Sequence, residues 1–224
     1  MQATEPTFKV VEIFDSIEGE GKRAGALATF IRLAECNLRC SFCDTTYSFG
    51  ESADAYQIMT LEEILTRVNP RFSFVTLTGG EPLLAPHVDR LINRLAENYQ
   101  VNIETNGSVD ITPFIDITRN VFFTIDYKLP SSGMTDKMRL ENYEKLALHD
   151  VLKFVVGDDN DLQHMINFLK QLKVSVPRIY IGAVYNNYPL QKIVAAMLKN
   201  PILVDANLQL QFHKIIWNPE ERGV

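Results

Sequence analysis

Residues 27–45 read LATFIRLAECNLRCSFCDT, an apolar segment that runs directly into a loop containing three cysteines. The first part, residues 27–33, is rich in aliphatic, aromatic and β-branched side chains and predicts a buried β-strand. Cys36, Cys40 and Cys43 are the three cysteines of the whole chain. An odd number confined to one loop does not suit a disulfide framework, so this stretch indicates a metal-binding loop at the end of a strand.

On either side of this stretch, short β-rich runs alternate with amphipathic segments, which is the pattern of a mostly parallel sheet with crossover helices. The predicted strands are residues 8–13, 27–33, 74–77, 101–104, 121–125, 152–156, 179–183 and 208–212. The predicted helices are residues 60–68, 85–98, 137–148, 158–172 and 189–198. Such an α/β sheet is either open or curled into a partial barrel. Since no linker divides the chain, we expect a single domain spanning residues 1–224.

The composition disfavours several classes of function. The chain has 224 residues, 46% of them hydrophobic and 22% charged, with a net charge of −6. Binding to free nucleic acid, which needs clustered Lys and Arg, is therefore not expected. No apolar run approaches the roughly 18 residues of a membrane span, and residues 1–9 lack the apolar core of a signal peptide. We expect no membrane association and a cytoplasmic location.

Polar residues follow four of the predicted strands at their carboxyl ends, where α/β folds place their sites. They are the cysteine loop, Thr78-Gly79-Gly80-Glu81-Pro82, Glu104-Thr105-Asn106-Gly107 and Asp126-Tyr127-Lys128. We expect these four segments to form one shared site. Taken alone, the second could be an ordinary strand-to-helix turn with Pro82 at the first helical position, and the third a plain turn.

The cysteines have the spacing C-x-x-x-C-x-x-C, whereas iron–sulfur clusters are normally held by four thiolates. A 4Fe-4S cluster held by three cysteines leaves one iron free to chelate the amino and carboxylate groups of S-adenosylmethionine (SAM). Phe42 is placed to pack near the adenine. The alternative is a zinc knuckle, which needs four Cys or His ligands in paired spacing. No second C-x-x-C and no nearby histidine completes such a set.

The cysteine loop resembles the signature of the radical SAM superfamily, and Thr78-Gly79-Gly80-Glu81-Pro82 resembles the segment that binds the SAM amino group there. The resemblance implies a partial (β/α) barrel of the radical SAM type, with a reduced helix complement because the chain is short. On physical grounds, paired glycines let the backbone approach a ligand closely. Glu81 is expected to accept a hydrogen bond from an ammonium group.

Four features resemble one family in particular, the 7-carboxy-7-deazaguanine synthases. They are Glu12-Ile13-Phe14 leading into Ile17-Glu18-Gly19-Glu20-Gly21, Phe30-Ile31-Arg32-Leu33 before the cysteines, Cys43-Asp44-Thr45, and the tail Gln211-Phe212-His213-Lys214 with its end Arg222-Gly223-Val224. Because these features include both ends of the chain, the resemblance covers nearly its full length.

The resemblance implies a lyase that converts 6-carboxy-5,6,7,8-tetrahydropterin to 7-carboxy-7-deazaguanine, with release of ammonia, for the synthesis of queuosine and related 7-deazapurines. SAM is used catalytically to form a 5′-deoxyadenosyl radical that takes hydrogen from C6, and Mg²⁺ binds near the substrate carboxylate. A homodimer is also implied, and a flavodoxin or ferredoxin is a natural electron donor. The alternatives are a radical SAM activase that makes a glycyl radical on a partner enzyme, and a non-enzymatic metal-binding module.

The expected site residues follow from the motifs and the resemblance together. The cluster loop is residues 36–45, with Cys36, Cys40 and Cys43 as cluster ligands and Thr45 as the Mg²⁺ ligand, although Thr45 could equally cap the next turn. The SAM-binding residues are Phe42, Cys43, Asp44, Gly79, Gly80, Glu81, Glu104, Asn106, Asp126, Tyr127 and Lys128. The substrate-binding residues are Ile17, Glu18, Gly19, Glu20, Arg32, Thr78, His213 and Val224, in a site closed by the C-terminal tail, residues 207–224.

Two of these residues, Arg32 and Glu20, also suit the chemistry on physical grounds, and the resemblance implies the role of a third, His213. Arg32 lies in an apolar run where an idle charge would be costly, so it is expected to pair with the substrate carboxylate. Glu20 stands between two glycines and is expected to accept from the amino and N–H groups of a pterin. His213 is expected in the tail strand as a substrate contact, with a plain edge-strand histidine as the alternative. The other histidines are expected at the surface: His87, His149 and His164.

The chain departs from the family pattern at three places. Glu18 stands where the family usually has Gln, Asp126-Tyr127-Lys128 stands where it has Ser-Pro-Lys, and Gly182 stands where it has Gln. These departures bear mainly on the expected contacts with the SAM ribose and leave room for a related substrate.

Overall fold

A computed structural model describes residues 5–51, 55–172 and 178–224 of the protein. In these ranges nine strands form one sheet: β1 (Thr7–Ile17), β2 (Leu27–Leu33), β3 (Gln57–Thr60), β4 (Phe74–Gly79), β5 (Gln100–Thr105), β6 (Val121–Asp126), β7 (Val151–Val156), β8 (Arg178–Ala183) and β9 (Asn207–Leu208). The same ranges contain six α-helices: α1 (Leu61–Arg67), α2 (Val88–Ala96), α3 (Leu140–Tyr143), α4 (Asp159–Gln171), α5 (Leu190–Lys199) and α6 (His213–Ile216).

The strand order is β3-β1-β2-β4-β5-β6-β7-β8-β9, and the sheet is not closed. All neighbours from β2 to β9 are parallel, whereas β1 is antiparallel to both β2 and β3. The predicted α/β fold, a partial barrel with few helices, is confirmed. The connection from β5 to β6, for example, contains only a 3₁₀ turn at Thr112–Phe114.

The two faces of the sheet differ sharply in polarity. The outer face is apolar and buried, and its side chains include Ile31, Leu33, Val75, Leu77, Val101, Ile103, Phe123, Ile125, Leu152 and Phe154. The inner face carries polar side chains at alternate positions of the same strands: Arg32, Thr76, Thr78, Asn102, Glu104, Thr124, Asp126 and Lys153. Parallel sheets are usually apolar on both faces. A polar inner face therefore indicates that the concave side of this sheet holds a site.

Two helix starts follow directly from the sequence. A capping box starts α1, because Glu63 N donates to Thr60 Oγ1 at 3.2 Å and Thr60 N donates to Glu63 Oε2 at 2.7 Å. At α4, Asp158 caps the helix by accepting from Asp161 N at 2.8 Å. These local signals place both helices within one residue of their predicted starts.

Three predictions of secondary structure are wrong. The edge strand β3 was not predicted, because a four-residue segment shows no clear apolar alternation. The helix predicted at 137–148 shrinks to α3, since the Asn142 side chain donates to Gly107 O and Val109 O at 3.0 and 2.7 Å and fixes a turn there. The strand predicted at 208–212 is only β9, and the chain then turns into α6. His213 therefore begins a short helix and does not lie in a strand.

One histidine expected at the surface is partly buried instead. His164 Nε2 lies 3.1 Å from the hydroxyl of Tyr127, within an aromatic cluster behind the sheet. His87 and His149 are exposed, as predicted. None of the helices in the described ranges combines the length and the apolarity needed to cross a bilayer.

Candidate active site

The carboxyl ends of β2, β4, β5 and β6 meet at one pole of the sheet, as their shared direction requires. Asn106, after β5, places its Nδ2 3.7 Å from Cys36 Sγ in the loop after β2. Thr78 Oγ1, at the end of β4, donates to Glu104 Oε2 at 2.8 Å. The structure thus brings the polar segments predicted from the sequence to one place.

The three cysteines are partly buried and form no disulfide. Burial raises the pKa of Cys40 and of Cys43, and the Lys128 ammonium opposes that rise at both thiols. Among the described residues, no group of three or more Cys, His, Asp or Glu side chains is arranged to hold a single metal ion. Three cysteines fall short of the four Cys or His ligands of a structural zinc site, whereas they suffice for a 4Fe-4S cluster that leaves one iron free.

The cluster loop is fastened to the segment after β6. Ser41 Oγ donates to Ser131 O at 2.6 Å, and Ser41 N donates to Ser132 O at 3.1 Å. Asp161, which is fully buried at the start of α4, accepts from Ser131 N and Gly157 N, both at 2.8 Å. Neither Ser131 nor Asp161 was predicted as a site residue. An aspartate at the start of a helix indicates only a helix cap, and no motif includes Ser131.

Gly80 is required by close packing against the cluster loop. A Cβ at this position would lie 2.2 Å from Glu35 O and 2.8 Å from Cys36 Cβ. At the neighbouring Gly79, φ is +149° and a Cβ would lie 2.1 Å from Leu33 O. The paired glycines therefore let two strand-end loops touch, whether or not they also contact a ligand.

The structure corrects the expectation for Glu81. Its carboxylate is 0% exposed and accepts from three donors of the protein itself: Leu83 N at 3.1 Å, Asn106 N at 2.7 Å and Thr105 Oγ1 at 2.9 Å. Burial raises the pKa of Glu81 to about 7 despite these donors. Glu81 joins two loops of the site and is not open to the ammonium of a ligand.

Asp126 and Lys128 lie on the inner face, whereas the side chain of Tyr127 points away from it. Lys128 Nζ donates to Asp126 Oδ2 at 2.6 Å. The other carboxylate oxygen, Asp126 Oδ1, is buried and has no hydrogen-bond partner among the described residues. Tyr127 packs against Phe168 behind the sheet, with ring centroids 4.0 Å apart. Only the backbone of Tyr127 is therefore available to the site.

Glu20 is not an exposed loop acid, because it forms an ion pair inside the site. Lys153 Nζ, from the middle of β7, lies 2.6 Å from Glu20 Oε2, and both side chains are 14% exposed. Lys153 was not predicted as a site residue. Its strand reads as an apolar run, and nothing in that run shows which residue the lysine would meet.

Glu18 lies deeper than Glu20, with 2% of its surface exposed, and accepts a hydrogen bond from Thr76 Oγ1. Burial, and next the nearby carboxylate of Glu104, raise the pKa of Glu18 to about 8. A glutamate that keeps its proton can donate as well as accept. In that respect it resembles the glutamine that the family usually has at this position.

Arg32 lies on the inner face of β2, and its Nε donates to Glu12 Oε1 at 2.7 Å. The same carboxylate oxygen accepts from the hydroxyl of Tyr47 at 3.1 Å. Arg32 is 16% exposed, so it is neither idle nor a surface charge. Glu12 and Tyr47, which sequence analysis did not assign to the site, hold it in place.

The C-terminal tail, residues 207–224, contacts the loop that carries Glu20, the cluster loop and Tyr47. A Cβ at Gly19 would lie 3.0 Å from His213 Nδ1, so His213 is directly beside the loop that carries Glu20. Burial lowers the pKa of His213. Farther along the tail, Arg222 stacks over the Tyr47 ring at 3.8 Å, and Val224 is partly buried.

Asp44 and Thr45 end the cluster loop, and one of them contacts the tail. Lys214 Nζ lies 2.8 Å from Asp44 Oδ2. Although burial opposes it, this ammonium lowers the pKa of Asp44 to about 2. Thr45 Oγ1 donates to Asp44 Oδ1 at 3.0 Å and does not cap the following 3₁₀ turn. Phe42 is partly buried.

Comparison with known proteins agrees with this geometry. The model of the radical SAM superfamily matches residues 31–126. A 7-carboxy-7-deazaguanine synthase from Clostridium acetobutylicum is 43% identical over 97% of this chain and 99% of its own. One from Koribacter versatilis is 33% identical over 96% and 100%. Among solved structures, QueE from Escherichia coli superposes with a TM-score of 0.72 and 21% identity, covering 90% of this chain and 92% of that one.

These similarities decide between the alternatives that the sequence left open. The relatives match over nearly the whole chain, from the loop that carries Glu20 to the C-terminal tail. A glycyl-radical activase and a non-enzymatic metal-binding module are not supported, since the matched relatives carry the name of one small-molecule enzyme. The chain belongs to the 7-carboxy-7-deazaguanine synthase family of the radical SAM superfamily.

Proposed function

We propose that the protein converts 6-carboxy-5,6,7,8-tetrahydropterin to 7-carboxy-7-deazaguanine, with SAM and a 4Fe-4S cluster as cofactors, in the synthesis of 7-deazapurines. The observation that carries the proposal is the convergence of charged side chains on the inner face of the sheet. Arg32 lies near the end of β2 that leads into the cluster loop. Glu20, on the hairpin at the other end of β2, pairs with Lys153, whose Nζ lies 3.5 Å from Asp126 Oδ1 at the end of β6. A substrate with a carboxylate at one end and N–H groups at the other matches a site with an arginine and a glutamate.

Arg32 is suited to bind the substrate carboxylate. Only its Nε has a partner in the described part of the chain, so its two terminal nitrogens can form a bidentate pair. Glu12 keeps the guanidinium from turning away. Thr45 is proposed as the protein ligand of Mg²⁺, which keeps several waters and accepts few protein ligands.

Glu20 is suited to accept from the amino and ring N–H groups of the pterin, because its carboxylate faces the site and is held by Lys153. Thr78, His213 and the carboxylate of Val224 are proposed as further substrate contacts, with Ile17, Glu18 and Gly19 forming the wall beside them. We propose that the tail closes the site, which its contacts with Gly19 and Asp44 support.

The residues present fit the expected cofactors. Cys36, Cys40 and Cys43 would hold the cluster, which supplies the electron that cleaves SAM into the 5′-deoxyadenosyl radical. Asp126 Oδ1 is buried and accepts no hydrogen bond among the described residues, although Lys153 Nζ lies 3.5 Å away, so it suits a hydroxyl donor such as a ribose of SAM. The other proposed SAM contacts are Phe42, Asp44, Gly79, Gly80, Glu104, Asn106, Lys128 and the backbone of Tyr127.

A homodimer and an external electron donor, such as a flavodoxin or ferredoxin, are also proposed. Exposed large apolar side chains are concentrated near the C-terminus, where they support association with a second copy: Tyr185, Val194, Leu198, Val204, Leu208, Leu210, Ile215 and Ile216. Cysteines without disulfides are compatible with the proposed cytoplasmic location.

The proposal is tested with protein reconstituted anaerobically with iron and sulfide. SAM, dithionite and Mg²⁺ are added with or without the pterin, and mass spectrometry follows 7-carboxy-7-deazaguanine and 5′-deoxyadenosine. We expect product only when the pterin is present, and a large loss in Arg32→Ala but not in Arg94→Ala, an exposed control. Cleavage of SAM without formation of 7-carboxy-7-deazaguanine would refute the proposal that the pterin is the substrate.

A further inference from the structure

Lys153 is a charged residue in the middle of an apolar strand. Its neighbours Leu152 and Phe154 are both 0% exposed and face the helices. The lysine side chain points the other way, into the polar inner face, and is only 14% exposed. An ammonium that has lost most of its water must be compensated by nearby carboxylates.

The charge of Lys153 is compensated by two carboxylates on different segments, one proposed to bind the substrate and the other proposed to bind SAM. Lys153 Nζ lies 2.6 Å from Glu20 Oε2, on the loop after β1, and 3.5 Å from Asp126 Oδ1, at the end of β6. Glu20 is the proposed substrate contact, and Asp126 is the proposed SAM contact. The second oxygen of Asp126 is bound by Lys128 at 2.6 Å, so Asp126 sits between two ammonium groups.

We propose that Lys153 is a positioning residue that holds the substrate-binding carboxylate of Glu20 and the SAM-binding carboxylate of Asp126 at a fixed separation. The inference rests on the proposed function and extends it. Without Lys153, the carboxylates of Glu20 and Asp126 would face each other and the nearby Glu104 without a cation between them. Repulsion would then turn the carboxylate of Glu20 away from the site, and it would lose its role as an acceptor.

Stability alone does not explain a buried lysine at this position. Replacing a buried ion pair by apolar residues of similar size is often neutral or stabilising. Val155, the next inward-facing residue of β7, shows that this strand also presents an apolar side chain to the inner face. The charge is explained more simply by the two carboxylates that it joins.

The test measures binding without turnover. Dissociation constants for SAM and for 6-carboxy-5,6,7,8-tetrahydropterin are determined by anaerobic calorimetry on the reconstituted, unreduced holoenzyme. The variants are Lys153→Met, Glu20→Gln, the charge-balanced double variant, and Lys153→Arg. Lys192→Met is the matched control, because it removes a lysine from an exposed ion pair with Asp159.

Loss of Lys153 alone should weaken pterin binding by roughly tenfold to a hundredfold, as expected for a charged hydrogen-bonded group. In the Glu20→Gln background the same change should weaken pterin binding by less than about threefold, because Glu20 is the group through which Lys153 acts. SAM binding should weaken in both backgrounds, since Asp126 loses one of its two cations in each. Lys153→Arg should recover part of both affinities, and Lys192→Met should change neither.

Multiplicative effects of the two single changes on pterin binding would overturn the proposal, and so would unchanged affinities in Lys153→Met. If Lys153→Met does not fold, the double variant is compared with Glu20→Gln; equal pterin binding with weaker SAM binding supports the proposal, and equal binding of both ligands contradicts it. If the wild-type holoenzyme does not bind the pterin at all, the proposed function fails. The SAM measurement then still tests the contact with Asp126.

Discussion

Two carboxylates of the site differ in their surroundings. Glu81 lies beside the cluster loop, and Glu20 lies beside the C-terminal tail. Next to the cluster loop, Glu81 is fully buried and accepts from three donors of the protein itself. Next to the tail, Glu20 pairs with Lys153 and remains partly exposed. The carboxylate of Glu81 is committed to the fold, whereas that of Glu20 keeps capacity for a ligand.

The motif at residues 79–82 connects the loop after β4 to two neighbouring loops. Gly80 allows the loop after β4 to touch the cluster loop, and Glu81 ties that loop to Thr105 and Asn106. In this protein the motif therefore builds a rigid support for the cysteines. The SAM contacts proposed for this motif therefore involve its backbone atoms and not the carboxylate of Glu81.

The largest effect is expected from a change in the rigid support. Gly80→Ala places a methyl group 2.2 Å from Glu35 O, so the cluster loop must move away from its position. We expect the variant to retain almost no iron after anaerobic reconstitution, measured as iron and sulfide per chain. Gly182→Ala is the control, because its Cβ would meet nothing closer than 3.5 Å. A full complement of iron in Gly80→Ala would show that the contact is not needed.

The comparison of the two carboxylates can be tested directly with matched amide variants. Glu81→Gln turns an amide N–H₂ toward donors and should lower the free energy of unfolding by about 2–3 kcal/mol. Glu20→Gln leaves Lys153 an amide oxygen to donate to and the carboxylate of Asp126 nearby, so it should lower the free energy of unfolding by about 1–2 kcal/mol, less than Glu81→Gln, but raise the KM for the pterin roughly tenfold or more. Thermal unfolding and steady-state kinetics check both expectations. An unchanged melting temperature with weak SAM binding in Glu81→Gln would make Glu81 a ligand contact after all.

A smaller effect, dependent on pH, is expected at Glu18. Burial raises its pKa from 4.5 to about 8, so between these values the unfolded chain releases a proton that the folded protein keeps. The resulting cost to stability is absent at low pH, grows as the pH rises through this window, and is constant above it. Glu18→Gln removes the cost. The variant should therefore gain stability relative to wild type by at most ~1.4 kcal/mol per pH unit.

Denaturant unfolding of the two proteins at several pH values measures the gain. Glu62→Gln, at an exposed position, serves as the control for the loss of one carboxylate. A difference between Glu18→Gln and wild type that stays constant from pH 5 to pH 8 would contradict a protonated Glu18.

The smallest effect is expected where the tail meets the sheet. Tyr47→Leu removes the ring under Arg222, and such contacts contribute about 0.5–1 kcal/mol, so the KM for the pterin should rise about two- to fivefold. Tyr47→Phe keeps the ring and loses only the hydrogen bond to Glu12, so its tail should stay in place. Limited proteolysis of the tail, together with kinetics, compares the two. If both variants raise the KM and expose the tail to the same extent, the hydroxyl matters and the stacking does not.

Much of the fold was predictable because it depends on local patterns. Residues 27–33 form β2 with the predicted bounds, since their apolar run ends abruptly at the polar loop. The capping box of α1 needs only Thr60 and Glu63. The tail was not predictable in the same way, because its conformation depends on distant contacts such as that of Phe212 N with Gly19 O at 3.2 Å.

The site was predictable in its location but not in its pairings. The cysteine spacing and the strand-end segments indicated the pole of the sheet where the site lies. No local pattern shows that Lys153 pairs with Glu20, which is 133 residues away. Nor does any local pattern show that the Glu81 carboxylate accepts hydrogen bonds from Thr105 and Asn106. Pairings of this kind depend on how the strands are ordered in the sheet, and a single sequence does not show that order.

The account is tested most directly by counting product molecules per molecule of SAM. Reconstituted, reduced protein is given excess 6-carboxy-5,6,7,8-tetrahydropterin and a limiting amount of SAM, and 7-carboxy-7-deazaguanine is quantified by mass spectrometry. We predict many molecules of product for each SAM, because SAM is used catalytically. Accumulation of 5′-deoxyadenosine with no 7-carboxy-7-deazaguanine would contradict the account.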